Sequence, residues 1–413
     1  MTTKYTGVLA IIGQGYVGLP LAMAAVKAGW LVIGIDNAHS KVLEINGGSS
    51  PVEDVTDAQL ISALSSGAYR AATDFSLISD ASVVTICVPT PLDSDRKPDI
   101  TSLMDAANSI APHLSTDTLV ISESTSYPGT LRNVIIPVIQ GNKSPGCLDL
   151  YFASAPERVN PGDLIWTQQN TPRLVGAIDK QSQQRAEAFY NTICDAVVRV
   201  ESPEIAEAAK LLENTFRLVN IGLVNEFAKI CSAANLSVNE VIDAASTKPY
   251  GFMTFRPGVG VGGHCIPVDP LYLTWWARKE GQHPKLVECA DEINHSMPDF
   301  VASKALKMAE VDNRQARVLI LGVAYKTGIS DTRETPATLL REFLESYGAT
   351  VGWNDPLVHS WDGTQPVDMN WECDVAIIAN SQPGLKIEAL LSRGIPILDC
   401  TNTFGDIHGV CSL

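Results

Sequence analysis

Gly13-Gln-Gly15-Tyr-Val-Gly18 constrains this chain more than any other stretch, because its glycines sit between an apolar run, Val8 to Ile12, and a small-residue segment, Leu19 to Ala28, that reads as a helix. A bare GxGxxG is common. Here it follows a strand, opens a helix and is answered by Asp36 at the end of a second apolar run, Leu31 to Ile35, which are the conditions for a dinucleotide fold. Gly13 is expected to make the tight turn, Gly15 to admit a pyrophosphate to the backbone, and Gly18 to let helix pack on strand, with Tyr16 and Val17 completing the cradle. An acidic residue at position 36 suits the adenosine ribose hydroxyls and repels a 2′-phosphate, so NAD is favoured over NADP. Lys41 is a further candidate at the adenosine end; the alternative is a solvated lysine.

Further runs, Val83 to Val88 and Thr118 to Ser122, continue the βαβ rhythm of a parallel, doubly wound sheet. Turns follow them where such a sheet binds ligands: Val88-Pro-Thr-Pro-Leu92, Ser122-Glu-Ser-Thr-Ser-Tyr-Pro-Gly129 and Ala155-Pro-Glu-Arg-Val-Asn-Pro-Gly162. Thr90 and Thr125 are candidates to touch cofactor or substrate, or are turn formers; Glu157 and Arg158 are candidates too, or an exposed pair.

The texture changes at Ser202. Ser202 as N-cap, Pro203 and Glu204 open a helix with apolar residues Ile205, Ala209, Leu212, Phe216, Val219, Leu223, Phe227 and Ile230, expected to run to about Asn235. So long a helix reads as a spine joining domains and as a dimer surface. A second α/β pattern begins at Arg317-Val-Leu-Ile-Leu-Gly322, with Pro336 to Tyr347 as helix and Asp374 to Ala379 and Ile395 to Leu398 as strands. The expected fold is α/β: two Rossmann-like doubly wound domains, 1–201 and 301–413, joined by a central helical domain, 202–300.

Composition excludes several classes. A net charge of −16 over 413 residues argues against a general nucleic-acid or anionic-membrane surface, since phosphate binding needs clustered Lys and Arg. The nine cysteines form no CxxC pair and no Cys/His ligand spacing, so neither a disulfide framework nor a metal site is expected. No secretory h-region or long apolar span is seen, and a reducing cytoplasm is the expected location.

Two features carry chemistry. Arg256-Pro-Gly-Val-Gly-Val-Gly262-Gly-His-Cys265-Ile-Pro-Val-Asp269 places a cysteine in glycine-dense backbone that large side chains are not expected to crowd, a way of presenting a thiolate. The alternative is an incidental buried thiol. On the long helix, Lys210 and Asn214 are four residues apart and share a face, suited to an oxyanion through charge and a directed N–H, or else they are ordinary polar positions.

Taken in order, GxGxxG with Asp36, Val-Pro-Thr-Pro, Glu-Ser-Thr with Tyr-Pro-Gly, Pro-Glu-Arg, Lys210 to Asn214 with Asn225-Glu226, Gly-Val-Gly-Gly-His-Cys-Ile-Pro-Val-Asp, and Gly322-Val-Ala-Tyr-Lys-Thr-Gly-Ile-Ser-Asp-Thr-Arg333 resemble the nucleotide-sugar 6-dehydrogenases over nearly the whole chain. The resemblance implies a four-electron oxidation of a UDP-sugar C6 alcohol to a carboxylate with two NAD and one water. It implies Cys265 as nucleophile, Lys210 or an Asp269-held water as the first base, Lys210 and Asn214 as stabilisers of the tetrahedral species, and a hydrolytic water positioned or deprotonated by Glu157 or Asp269 with help from Thr125. It carries Thr90, Thr125, Glu157 and Arg333 toward the NAD site. Glu157, Arg158, Gly262, Arg256 and Lys326 go toward the UDP-sugar, Arg256 as a contact that a partner subunit can supply.

The loop Gly-His-Cys-Ile-Pro-Val-Asp-Pro-Leu-Tyr-Leu-Thr-Trp276 looks more like the N-acetylhexosamine branch than the UDP-glucose branch, and Pro267 favours UDP-N-acetylglucosamine over the mannosamine and galactosamine epimers. Gln14 stands where the family has an apolar residue, its side chain expected to point away from the pyrophosphate; Ser126-Tyr127 is a second departure. Two other classes fit parts of the chain. A two-electron β-hydroxyacid dehydrogenase shares the first domain but needs no Cys265, and a non-catalytic NAD-binding regulator would reduce no NAD.

Overall fold

The computed structural model describes residues 6–159, 165–311, 315–405 and 407–413, and the chain divides into two compact units: 1–213 with 271–280, and 214–270 with 281–413. Residues 160–162 of the expected third turn lie outside the described residues, as does the start of the chain through Tyr5.

The first unit is built on an eight-stranded sheet: β1 (Val8–Ile12), β2 (Leu31–Ile35), β3 (Tyr69–Ala72), β4 (Val83–Ile86), β5 (Thr118–Ser122), β6 (Leu150–Ser154), β7 (Arg173–Ala177) and β8 (Val197–Val200), in the order β3-β2-β1-β4-β5-β6-β7-β8. All neighbours are parallel except β6 and β7. Along β1, Leu9 and Ile11 join one apolar cluster while Ala10 and Ile12 join another. Alternate side chains thus enter cores on both faces, which is why the strand reads as a continuous apolar run. The strand order reverses between β1 and β4, and the turns at 13–18 and 88–92 leave the sheet there.

The second unit holds a parallel five-stranded sheet: β9 (Arg317–Leu321), β10 (Thr350–Asn354), β11 (Val375–Ile378), β12 (Ile397–Asp399) and β13 (Val410–Ser412), ordered β10-β9-β11-β12-β13. Its reversal lies between β9 and β11. Gly322, just past β9, has φ +77, and a Cβ there would lie 1.7 Å from the Asn380 carbonyl oxygen. Only glycine lets the two strand ends approach this closely.

The long helix spans Pro203–Ala233. Its first turn is anchored by the Ser202 carbonyl, which accepts from the Ile205 and Ala206 amides, and it ends before Asn235, whose φ of 55 supplies the left-handed stop. The apolar row read from the sequence is not its buried face. Ile205, Leu212, Phe216, Leu223 and Ile230 are 44–65% exposed, whereas Ala206, Leu211, Leu218, Ala228 and Cys231 are buried. The helix carries two apolar stripes, and the larger side chains are on the outer one. No helix of the described residues is long and apolar enough to cross a membrane.

Candidate active site

The three glycines of the turn in the first unit have different surroundings. Gly13 has φ +94, and a Cβ there would fall 2.4 Å from the Cys87 carbonyl; at Gly18 it would fall 1.9 Å from the Gly13 carbonyl. At Gly15 it would meet nothing within 4 Å, so this turn presents open backbone of the kind a pyrophosphate approaches. The residues fit a dinucleotide. Tyr16 donates its hydroxyl to Glu53 at 2.9 Å.

Asp36 ends β2 and is almost fully buried. Its carboxylate accepts from the Gln14 and Ala38 amides at 2.9 and 3.0 Å and from Lys41 at 2.8 Å. Burial opposes its charge, but Lys41 and the two amides outweigh burial and hold the carboxyl below the usual range. Lys41 is therefore Asp36's ion-pair partner rather than a solvated lysine. Gln14 is fully buried: its amide nitrogen donates to the Ile11 and Gly13 carbonyls, and its oxygen accepts from Tyr69 at 2.7 Å. A Cβ on Gly34 would collide with it at 2.5 Å. The polar residue in an apolar position is an internal brace of the turn.

Thr90 and Thr125 come together. The Thr90 hydroxyl donates to the Thr125 carbonyl at 2.7 Å, and Ser124 donates to the Val88 carbonyl at 2.7 Å, tying the turns after β4 and β5. From the long helix, the Glu207 carboxylate accepts from the Gly129 and Leu131 amides at 2.6 and 3.0 Å, fixing the end of the second turn. Burial raises the Glu207 carboxyl to about 8 against those two bonds.

Glu157 and Arg158 are not an exposed pair. Arg158 forms its ion pair with Glu213 at 2.6 Å. Glu157 is buried and accepts from the Arg158 and Val159 amides on one oxygen and from Gln168 and Arg173 on the other, all at 2.6–2.8 Å. Burial opposes its charge, but Arg173 and the surrounding donors hold the carboxyl down near the bottom of the carboxylate range. A carboxylate so held is a poor proton acceptor, and of the two roles expected for it positioning fits. Arg173 also meets Glu123 at 3.3 Å, and Glu123 accepts from Tyr190 at 2.6 Å; burial pushes the Glu123 carboxyl upward. Sequence reasoning missed Arg173 because it lies on a strand with no local motif. Glu123 stood inside a quoted motif without a role.

Lys210 and Asn214 are one turn apart on the long helix and both are buried, 8% and 9% exposed. In the second unit, the Asn214 amide donates to Asp269 at 2.5 Å. Asp269 opens the helix Asp269–Lys279, its amide donating to the Cys265 carbonyl at 2.8 Å, so Cys265 lies just ahead of the end of that helix that favours negative charge. Cys265 is exposed.

The glycine loop before it is more crowded than expected. A Cβ at Gly262 or Gly263 would come within 2.7 Å of Pro336 or Tyr325, and Gly263 has φ +91. Asn225 is fully buried, accepting from the Gly258 amide at 2.9 Å and donating to Asn294 at 2.8 Å. Arg256 is held by Asn239 and Asp243. Arg333 folds onto Asp331, 2 residues away, and Lys326 is half-buried with its carbonyl accepting from Gln382 at 3.3 Å. Residues 256–260 and Gly262 form one wall of a crevice of about 230 Å³ whose other walls are Gly322, Ala324, Tyr325, Thr335, Asn380 and Thr401, at the carboxyl ends of β9, β11 and β12.

Comparison with known proteins places these parts in a lineage. Three profiles of the UDP-glucose/GDP-mannose dehydrogenase family match in succession: the NAD binding domain over 8–194, the central domain over 204–296 and the UDP binding domain over 319–400. The chain is 37% identical to a UDP-N-acetyl-D-mannosamine dehydrogenase of Methanocaldococcus jannaschii, covering 80% of this chain and 74% of that protein. It is 34% identical to a UDP-N-acetyl-D-glucosamine 6-dehydrogenase of Pseudomonas aeruginosa, covering 86% and 84%. The solved UDP-D-ManNAc dehydrogenase of Pyrococcus horikoshii superposes with TM-score 0.88 at 32% identity over 98% of each chain.

Proposed function

Because the chain belongs to the UDP-glucose/GDP-mannose dehydrogenase family, NAD-dependent dehydrogenases of nucleotide sugars, we propose that it oxidises the C6 alcohol of a UDP-N-acetylhexosamine to the uronic acid in two steps at Cys265. The observation that carries this reading is the buried Asn214–Asp269 pair on the helix start that follows an exposed Cys265. NAD, when bound, would supply the hydride acceptor for each oxidation.

The chain's own residues account for the rest. Gly13, Gly15, Tyr16, Val17 and Gly18 line the pyrophosphate turn and Asp36 meets the ribose, with Thr90 and Thr125 at the nicotinamide end. Lys210, or a water held by Asp269, takes the C6 hydroxyl proton. Cys265 adds as thiolate to the aldehyde carbon, and Lys210 and Asn214 hold the tetrahedral oxyanion. Loss of the second hydride leaves a thioester on Cys265. Asp269 activates the water that cleaves it, Thr125 assists, and Glu157 positions as a fixed anion. The crevice beside Gly262 takes the uridine diphosphate, with Arg256 in its wall; Lys326 and Arg158 are further contacts to the UDP-sugar, and Arg333 goes toward NAD. The domains are 1–201, 202–300 and 301–413, and the exposed apolar row of the long helix packs on a second copy in a homodimer or higher oligomer. Nine free thiols suit a cytoplasmic location.

Pro267 and the Leu-Tyr-Leu-Thr run favour the glucosamine epimer. The mannosamine epimer is the second reading, favoured by the name of the 37% identical archaeal relative. NADH release from UDP-GlcNAc, UDP-ManNAc, UDP-GalNAc and UDP-Glc separates them: the preferred epimer shows the highest kcat/KM, and no release from any sugar would refute the whole reading.

A further inference from the structure

Three groups in the second unit converge on one buried carboxylate beside the nucleophile loop. The Asp331 side chain is 6% exposed; the Arg333 guanidinium donates to it at 2.6 Å, the Arg333 amide at 3.0 Å, and the His264 Nε2 lies 3.3 Å away. Burial works against the charge on Asp331, and His264 and Arg333 outweigh it. The Asp331 carbonyl accepts from the Tyr325 amide at 3.0 Å, and the Tyr325 ring stands edge-on to His264, centroids 6.2 Å apart. The Gly263 amide donates to the Glu334 carbonyl at 3.3 Å. The segment 325–336 is thus attached to the loop at residues 262–264, immediately before Cys265.

The same two segments face each other across the crevice at the carboxyl end of the second sheet: Gly258, Gly260 and Gly262 on one side, Tyr325, Thr335 and Pro336 on the other. A ligand entering it presses on both parts of the attachment. Gly262 and Gly263 have no room for a Cβ, so the end of the loop is packed against Pro336 and Tyr325.

We propose that the His264–Asp331 contact is a positioning clamp that makes presentation of the Cys265 thiol depend on occupancy of the crevice by the uridine diphosphate part of the substrate. The inference rests on the reading of Cys265 as nucleophile and of the crevice as the nucleotide site. Neither His264 nor Asp331 touches the reacting carbon; both act through the loop. The arrangement would keep the nucleophile ineffective toward stray aldehydes until a nucleotide sugar is bound.

The test is the rate of Cys265 alkylation by iodoacetamide at fixed pH, followed by peptide mass mapping to separate it from exposed Cys289 and Cys411, with and without UDP. In the wild type UDP should change the Cys265 rate several-fold while leaving Cys411 unchanged. His264→Ala should abolish that response and lower kcat more than it raises KM, whereas His264→Gln, which retains an N–H of similar reach, should restore both. Asp331→Asn should resemble His264→Ala; circular dichroism reports whether it has folded, and the His264 pair decides the matter if it has not. A wild-type rate indifferent to UDP, or a His264→Ala enzyme that responds as the wild type does, overturns the clamp. If the wild type nonetheless forms two NADH per sugar, the inference alone has failed. If no UDP-sugar reduces NAD, the underlying reading has failed.

Discussion

The Asn214 side-chain amide donates to the Asp269 carboxylate at 2.5 Å, and both are buried. The bond fixes which way the amide faces, its nitrogen committed toward Asp269; the proposed oxyanion role falls to the second N–H of that nitrogen. Asn214→Ala should lower kcat by roughly 10²–10³-fold, the effect of removing one oxyanion donor, with a smaller change in KM. Steady-state kinetics with the preferred sugar checks this; an equal rise in KM at unchanged kcat would mean that the pair only binds substrate.

Gly15 and Gly18 separate binding from folding. A methyl at Gly15 meets open space, so Gly15→Ala should melt at the wild-type temperature yet bind NAD roughly tenfold more weakly, about 1.4 kcal/mol. At Gly18 a methyl meets the Gly13 carbonyl, and Gly18→Ala should lose roughly 3 kcal/mol of stability from overpacking. Calorimetry of NAD binding beside thermal unfolding distinguishes the two.

Glu207 links stability to pH. Burial raises its folded carboxyl to about 8 from the ordinary 4.5, so the native state holds a proton that the unfolded chain releases earlier. The stabilisation is fully present below about pH 4.5 and is lost as pH rises to about 8, with a slope of at most about 1.4 kcal/mol per pH unit. Urea unfolding of the wild type and Glu207→Gln between pH 5 and 8 should show this slope in the former and its absence in the latter, after subtraction of the remaining groups.

The outer stripe of the long helix predicts assembly. Leu212 and Leu223 are 65% and 61% exposed, and Leu212→Asp with Leu223→Asp should shift sedimentation toward the monomer with little loss of protomer stability. A wild type that sediments as a monomer at micromolar concentration would remove the second copy from the account.

Where neighbouring residues decide the outcome, the structure was readable from the chain. Val8–Ile12 was legible as a continuous apolar run, the glycine turn and Asp36 from their places after successive runs, and Lys210 and Asn214 from a spacing of four; the Cys265 to Asp269 interval is a single turn of chain. What was not readable depends on distant partners. Nothing near Glu157 announces Arg173, which closes on it from another strand and turns an apparent base into a fixed anion. Nothing near Cys265 announces Tyr325, whose ring makes Gly263 necessary for packing rather than for ligand approach. On the long helix, apolar spacing identified a face without saying what covers it, and only the fold separates the exposed row from the buried one. Gln14 appeared as a departure of little consequence, and only the fold brings Tyr69 to its oxygen.

The central claim is that one cysteine holds the sugar through two oxidations, and the most direct measurement is NADH formed per UDP-sugar consumed, with the product identified, in the wild type and in Cys265→Ser. The account predicts two NADH and a uronic acid from the wild type, and no acid from the variant. One NADH with aldehyde released by the wild type, or undiminished acid from Cys265→Ser, would contradict it.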